Sequence, residues 1–480
     1  MRECFILSPK TSLKEIFLSG PERIDSRLGI ALRSKSFLLV SSISVVSFFA
    51  HIIISLYPSY DNTDGLTDEL IYAANAGRIL SGDSCTGQFF AQFPRICNYE
   101  HPPLAKLLIA VGMALLGRNN LGWRILPICL GTACIPLVYL ICLRISGNNK
   151  LATVAAVLLS MDTLFFMYSN MASLDMPELF FGIAAFTVYF YETKIGKIGP
   201  YVLAGLLMGL SALCKETGVF LLGALITFIL IFGKGDFFQR IKKSTVIVGV
   251  AAIVFIVFLQ AYDSLLTPFP VFTDQIAYMM NFALSDKAIY YPGLYYFTAH
   301  EPLGVVNSWV CQSCWRSLSP FDWITFFSPV EFAYPPPPGS SHYIIIGGFR
   351  FVYDGFAFYG ITNMFETWML YIWIPIAFFI LYKFRVNIRR GLQGSDRLLI
   401  FALIWFTFTW LPYVALYLQQ RAEYEYYMVS AVPALAIGAS YLVTRESVPN
   451  KVTIAYLILV ALWFCVFFPD KSFLPTVIRL

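Results

Sequence analysis

Long apolar runs recur along this chain, divided by short polar stretches. A hydrocarbon core of about 30 Å takes about 20 residues of helix to cross. Runs near that length occur at 37–57, 123–143, 151–169, 178–192, 200–214, 217–233, 244–262, 367–382, 398–418, 426–443 and 452–469. The pattern predicts an all-α polytopic bundle with eleven crossings. The runs 200–214 and 217–233 are short and interrupted by KETG, so a single hairpin dipping between faces is the other reading of that pair.

Two inter-run segments are large, 58–122 and 263–366. The first contains IYAANAGRIL (71–80) and LAKLLIAVGMALLG (104–117), both apolar at helical spacing. They are predicted to be helices lying in the membrane interface. The HPP at 101–103 suits a helix start, where Pro102 and Pro103 need no backbone donor. The second segment is rich in aromatics and Pro, including YPPPPG at 334–339, with no compact-domain pattern or internal repeat. The chain therefore divides into a basic tail (1–36), a core with the first large loop (37–262), the second loop (263–366) and C-terminal helices (367–480).

Composition agrees with a membrane protein: 58% of the 480 residues are apolar and 13% charged, with a mean hydropathy of +0.67. That balance excludes a soluble enzyme. Aromatics, at 17%, often adjoin charged loops, as interfacial belts require. The net charge of +5 is spread between apolar runs. It reads as a topology signal, and no nucleic-acid partner is expected. With the N-terminus inside, 22 of the 34 Lys and Arg fall in the inner segments, as the positive-inside rule asks. The C-terminus is then extracytoplasmic. The N-terminal stretch carries no small-residue cleavage pattern, so no cleavable signal peptide is expected.

This layout sorts the charges. Asp68, Glu69, Glu100, His101 and Lys106 fall in the first outer loop, and Arg124 opens the second run. Asp175 and Glu178 lie at one outer turn, Lys215 and Glu216 at another, and Arg421, Glu423 and Glu425 beyond the ninth run, beside the aromatic YEYY at 424–427. Five distant stretches thus deliver ionisable groups to one face. Such groups are costly to bury and are kept for pairing or function. By physics alone this is either a site for an anionic lipid or substrate, or an ion-pair scaffold. Cations at headgroup level suit a phosphate, and a carboxylate beside them suits a general base.

DEL (68–70) followed by HPPLAK (101–106) resembles the protein O-mannosyltransferase family, the dolichyl-phosphate-mannose-dependent branch of the GT-C membrane glycosyltransferases. WRILP (123–127), SNMASLD (169–175), ALCKETG (212–218), SPFDWITFFSPVEF (319–332) and RAEYEYYMVSAVPAL (421–435) resemble further family segments, in order. The resemblance implies a GT-C helical bundle of about eleven transmembrane helices with its site at the outer face. It implies a membrane enzyme that moves a sugar, mannose above all, from a polyprenyl- or dolichyl-phosphate donor to a hydroxyl acceptor on protein, glycan or lipid, with inversion. Asp68 is then the base and Glu69 orients the acceptor or shares that role. His101, Arg124, Lys215 and Arg421 are candidates for the donor phosphate. Glu100, Lys106, Asp175 and Tyr427 support them. Three positions depart from the family pattern: Asn170 stands where a cation is usual, and Glu423 and Glu425 add negative charge. The second loop is too short for a MIR-type domain, which points to a prokaryotic form in the plasma membrane; the endoplasmic reticulum is the eukaryotic equivalent. An oligomer is an open alternative.

Other chemistry is thin. No P-loop, GxGxxG or HExxH spacing occurs. A divalent metal is left as an option without a motif. Cys129, Cys134, Cys142, Cys214 and Cys465 sit in apolar runs as small hydrophobes, whereas Cys85, Cys97, Cys311 and Cys314 lie in loops, where a disulfide within CQSC or between Cys85 and Cys97 is expected. The rival class is a transporter or lipid flippase. Asp162, an acid inside a run, is its one candidate coupling group, and no repeated halves support it.

Overall fold

A computed structural model describes residues 32–55, 68–83, 97–192, 198–285, 288–290, 315–317, 320–325, 330–334, 342–346, 349–353, 356–360, 362–386, 394–421, 423–467 and 476–479. The helices are α1 (Lys35–Ser55), α2 (Asp68–Leu80), α3 (Leu104–Leu116), α4 (Asn120–Ser146), α5 (Asn149–Ser160), α6 (Thr163–Ser169), α7 (Asp175–Phe190) and α8 (Gly199–Cys214). They continue as α9 (Gly218–Phe232), α10 (Phe237–Leu266), α11 (Phe272–Ser285), α12 (Met364–Val386), α13 (Gly394–Leu418), α14 (Val432–Val443) and α15 (Asn450–Phe467). All eleven apolar runs fall on helix. Five helices, α1, α4, α10, α12 and α13, are long and apolar enough to cross a membrane, or six crossings if α5 and α6 are one bent span. The rest are shorter, so helix length alone does not reach the expected eleven.

Two runs are not single helices. The run 151–169 breaks between α5 and α6 with a 65° bend. Asp162 causes the break: its Oδ1 accepts from the Phe165 amide at 2.8 Å, capping α6. Its Oδ2 accepts from the Asn363 amide at 2.7 Å. The acid that a transporter would need for coupling is here tied to two backbone amides. The run 426–443 begins as a 3₁₀ turn, Glu425–Ser430, before α14. KETG separates two distinct helices, α8 and α9, each of which ends or begins at that turn.

α7 packs against α4 and α8, and α8 against α10; α5, α12 and α13 surround α14. The core is strongly aromatic. Phe186 meets Trp405 at 4.9 Å and Phe190 meets Phe401 at 4.9 Å, both edge-on, the arrangement that ring quadrupoles favour. Large apolar groups also cover the outside: Val46, Phe49, Val257, Phe378 and Leu462 are all exposed. That inversion of the soluble pattern is what a lipid-facing surface requires.

α2 and α3 pack on one another, and α3 on α4. At 13 residues each, they span only about 20 Å at 1.5 Å per residue, too short to cross. Gly117, with φ +91°, turns the chain from α3 into α4. Within the second large loop the described residues form α11 and short strands. Val330–Tyr334 pairs with Phe356–Gly360, and His342–Ile346 with Phe349–Tyr353, which also pairs with Thr476–Arg479. Trp323 is buried against Tyr413 and Tyr427, so the described residues 320–325 reach the bundle. Cys97 is disulfide-bonded; Cys85, Cys311, Cys314 and most of YPPPPG lie outside the described residues.

Candidate active site

The charges do converge at one end of the bundle, but they divide into tied groups and accessible ones. Glu69, at the start of α2, is enclosed. Its Oε1 and Oε2 accept from Nε and Nη2 of Arg124, both at 2.8 Å, and Oε1 also accepts from the Ala172 amide at 2.9 Å. This two-pronged pair, from α2 to α4 and to the 170–174 turn, has the strongest geometry available to a guanidinium and a carboxylate. It places Glu69 and Arg124 differently from the sequence reading. Both are enclosed, and each is the other's buried counter-ion.

Asp68, one residue earlier, is exposed. A 100° step along the helix separates it from Glu69, so one carboxylate points into the bundle and the other out of it. The Tyr426 hydroxyl donates to Asp68 Oδ2 at 2.9 Å. Tyr426 in turn stacks on Tyr168 at 5.3 Å and meets Tyr427 edge-on at 4.7 Å.

Lys215 follows the last residue of α8 and is buried. Its Nζ donates to Asp175 Oδ1 at 2.6 Å and lies 4.8 Å from the Tyr427 ring centre and 5.5 Å from that of Tyr426. Aromatic faces hold a cation without neutralising it. An ammonium with one carboxylate partner and two ring faces keeps donors for a further anion.

His101 Nδ1 sits 2.9 Å from Glu216 Oε2, and its ring stands edge-on to Tyr72 at 6.4 Å. Burial alone would raise the Glu216 carboxyl. His101 and Lys215 outweigh it and hold that group down to about 2, which accords with a side chain 40% open to solvent. Lys106 works beneath His101. Its Nζ donates to the Asn98 carbonyl at 2.6 Å, Asn98 Oδ1 at 3.1 Å and the His101 carbonyl at 2.7 Å. It thereby fixes the loop before α3, where Asn98 takes a left-handed φ of +42°. Asn75 of α2 donates to the Cys97 carbonyl of the same loop. Burial lowers the Lys106 amine to about 7, opposed by Glu100 and Glu216. Glu100 is buried with Oε2 unpartnered among the described residues.

Arg421 donates from Nε to the Ala283 carbonyl of α11 at 2.7 Å and couples electrostatically to Tyr427 and Glu216. Glu423 is fully buried. Burial pushes its carboxyl up to about 8, against the pull of Arg421, so at neutral pH it is protonated. The extra negative charge expected from Glu423 is therefore small; the side chain of Glu425 lies outside the described ones. Asn170 caps the end of α6. Glu216, Tyr72 and Tyr426 are the residues that sequence reasoning left without a role. Glu216 was visible as a charge at the turn, whereas Tyr72 carried no signal apart from its helix.

The site thus comprises an accessible carboxylate, a phenol-lined wall and two basic side chains, Lys215 and His101, each beside a carboxylate. Residues 100–262 match the family described as dolichyl-phosphate-mannose-protein mannosyltransferase. Over that stretch the chain is similar to this family. The match begins at Glu100, so it includes His101, Lys106, Arg124, Asp175 and Lys215. A polyprenol-phosphate-mannose--protein mannosyltransferase of Mycobacterium tuberculosis is 31% identical over 189 residues, covering 35% of this chain and 34% of the relative. The chain thus aligns with about a third of that relative's length. Among solved structures, the S. cerevisiae protein O-mannosyltransferase Pmt1-Pmt2 complex bound to the sugar donor superimposes with a TM-score of 0.58 at 13% identity, over 92% of this chain and 90% of that one. ArnT from Cupriavidus metallidurans in the apo state gives 0.51 at 14% identity, over 88% and 61%. The fold is that of the GT-C membrane glycosyltransferases, an all-α polytopic bundle.

Proposed function

We propose that this protein transfers a mannosyl group from a polyprenyl-phosphate carrier to a hydroxyl, a protein Ser or Thr above all, at the membrane face where α2 and α3 lie. The reading rests on one observation above the rest: of the adjacent carboxylates Asp68 and Glu69, Glu69 is sealed by Arg124 while Asp68 is exposed beside the cation cluster. The acceptor hydroxyl gives its proton to Asp68 as its oxygen bonds to the sugar C1. The bond from C1 to the phosphate oxygen breaks, and its electron pair leaves with the phosphate. Inversion at C1 follows from a single displacement. The leaving group is already a stable anion, so the site needs cations rather than a strong acid. Lys215, His101 and Arg421 are the groups suited to that task. Asp175 holds the Lys215 ammonium in place, Tyr427 lies beneath it, and Glu69 with Arg124 anchors α2. Support for mannose comes from the family match over 100–262 and the named mannosyltransferase relatives.

The test is direct. Purified protein is incubated with a panel of polyprenyl-phosphate sugars and a Ser/Thr-containing peptide. Mannosylated peptide and released polyprenyl phosphate are expected. Failure of every donor to give either product rejects the reading. Transfer from another sugar donor alone keeps the reaction class and removes mannose.

A further inference from the structure

The opposite end of the bundle carries a second charged cavity that the transfer reaction does not use. Arg124 and Arg144 mark the two ends of α4. Twenty residues at 1.5 Å each separate them by about 30 Å, the thickness of a hydrocarbon core. Around Arg144 lies a cavity of about 200 Å³, lined by Arg144, Lys234, Lys243, Arg397, Glu192 and the aromatic pair Tyr189–Phe190. A water occupies about 30 Å³ of liquid, so this space is ample for a small anion with part of its hydration shell.

Four cations face this space from separate stretches: the end of α4, the turn before α10, α10 itself and the first turn of α13. Among the described residues one carboxylate, Glu192, accompanies them. Three of the cations donate to backbone carbonyls. Arg144 Nε donates to the Phe190 carbonyl at 2.8 Å, Lys243 Nζ to the Lys234 carbonyl at 3.1 Å, and Arg397 Nη2 to the Phe232 carbonyl at 2.9 Å. Arg397 stands over the Phe228 ring at 5.4 Å and Lys243 over the Tyr201 ring at 5.3 Å. Such contacts orient positive charge and leave it in place. The Arg397 Nε is buried without a hydrogen-bond partner among the described residues. Burial, then Arg144, lowers the Lys234 amine, with Arg397 and Lys243 adding to the effect and Glu192 opposing it. Like charges thus crowd one another here, and an anion between them relieves that repulsion.

We infer that this cavity binds a phosphate group, carried by an anionic lipid headgroup of that leaflet or by a soluble phosphoester. A scattered basic belt would also attract anionic lipid. A concave cavity with a buried, unsatisfied guanidinium donor goes further and is built to hold one phosphate at a fixed place. Filling it joins α4, α10 and α13 at the end of the bundle away from the transfer site.

Thermal unfolding separates the two sources. Delipidated protein in detergent is titrated with inorganic phosphate at constant ionic strength. The same protein is placed in nanodiscs of phosphatidylcholine with and without phosphatidylglycerol. Three proteins are compared: the unsubstituted chain, the double variant Arg397→Gln/Lys243→Gln, and Lys150→Gln. Lys150 is a cation of the same end that bonds Asn450 outside the cavity. A saturable rise in Tm is expected for the unsubstituted chain and Lys150→Gln. In the double variant the phosphate needed for half the rise should increase about tenfold or more, as loss of charge-assisted contacts implies. A rise with inorganic phosphate assigns a soluble phosphate as sufficient; a rise only with phosphatidylglycerol assigns the headgroup. Lys234→Gln, at an exposed loop residue, tests the same point should the double variant misfold, and weakened binding is again expected. Equal responses in all variants, or none with either ligand, overturn the inference.

Discussion

At the scale of single residues, the Asp-Glu pair separates into two roles. Asp68 accepts a hydrogen bond from the Tyr426 hydroxyl and has an exposed side chain. Asp68→Asn should therefore fold with an unchanged Tm and retain donor binding, yet transfer sugar about 10²–10⁴-fold more slowly; full transfer with donor bound removes Asp68 as the base. Glu69 predicts the reverse. Glu69→Gln leaves the Arg124 guanidinium buried and uncompensated, a loss of about 3–5 kcal/mol in stability. The double variant Glu69→Met/Arg124→Met should unfold at a higher denaturant concentration than either single one, since a buried pair replaced by apolar groups loses the desolvation penalty too. Glu423 contributes one part of the pH dependence. Its folded carboxyl titrates near 8, above the ordinary value of about 4.3. Between those values the folded state holds more protons than the unfolded one, so stability falls as pH rises. Glu423→Gln should flatten that decline from about pH 4.3 to 8. An unchanged slope means the group titrates normally.

The scale of helices explains why the site residues meet. α3 approaches α4 so closely that a methyl at Gly112 runs into the Gly122 carbonyl, and one at Gly122 into the Gly117 carbonyl. Small residues at such a crossing let helix backbones touch. Lys106 sits on α3 and Arg124 on α4, two residues beyond Gly122. Gly122→Val should push α3 outward, lowering Tm and weakening donor binding together, because His101 rides on the loop that Lys106 holds. Donor affinity unaltered despite a lower Tm uncouples α3 from the site. Capping matters equally here: Asp162 starts a new helix in a run whose apolar pattern reads as continuous.

For the whole molecule, the positive-inside rule predicts an outer α2–α3 end and a cytoplasmic Arg144 end. A single cysteine at Arg118, exposed beside α3, should react with an impermeant reagent from outside intact cells. One at Lys150 should react only after permeabilisation. The opposite pattern inverts the molecule, and with it the face on which transfer takes place. The GT-C superposition holds at 13% identity over 92% of the chain. A bundle of this kind therefore depends on where apolar runs lie more than on which apolar residues fill them.

Sequence alone determined the helical, membrane-spanning class, the positions of the apolar runs, the shared end of the charges and the resemblance to the mannosyltransferases. These features are periodic or local: hydropathy acts over some twenty residues, and HPPLAK and ALCKETG are contiguous. Only the tertiary structure decided who pairs with whom. Glu69 meets Arg124 across 55 positions, Lys215 meets Asp175 across 40, and Tyr426 meets Asp68 across 358. None of these separations has a sequence period. The choice between a free base and a sealed counter-ion rests on a single 100° helical step. The break at Asp162 likewise depends on Asn363, a residue 201 positions away. Burial that holds Glu423 protonated exists only once the bundle has closed around it, since a side chain's pKa answers to its neighbours in space.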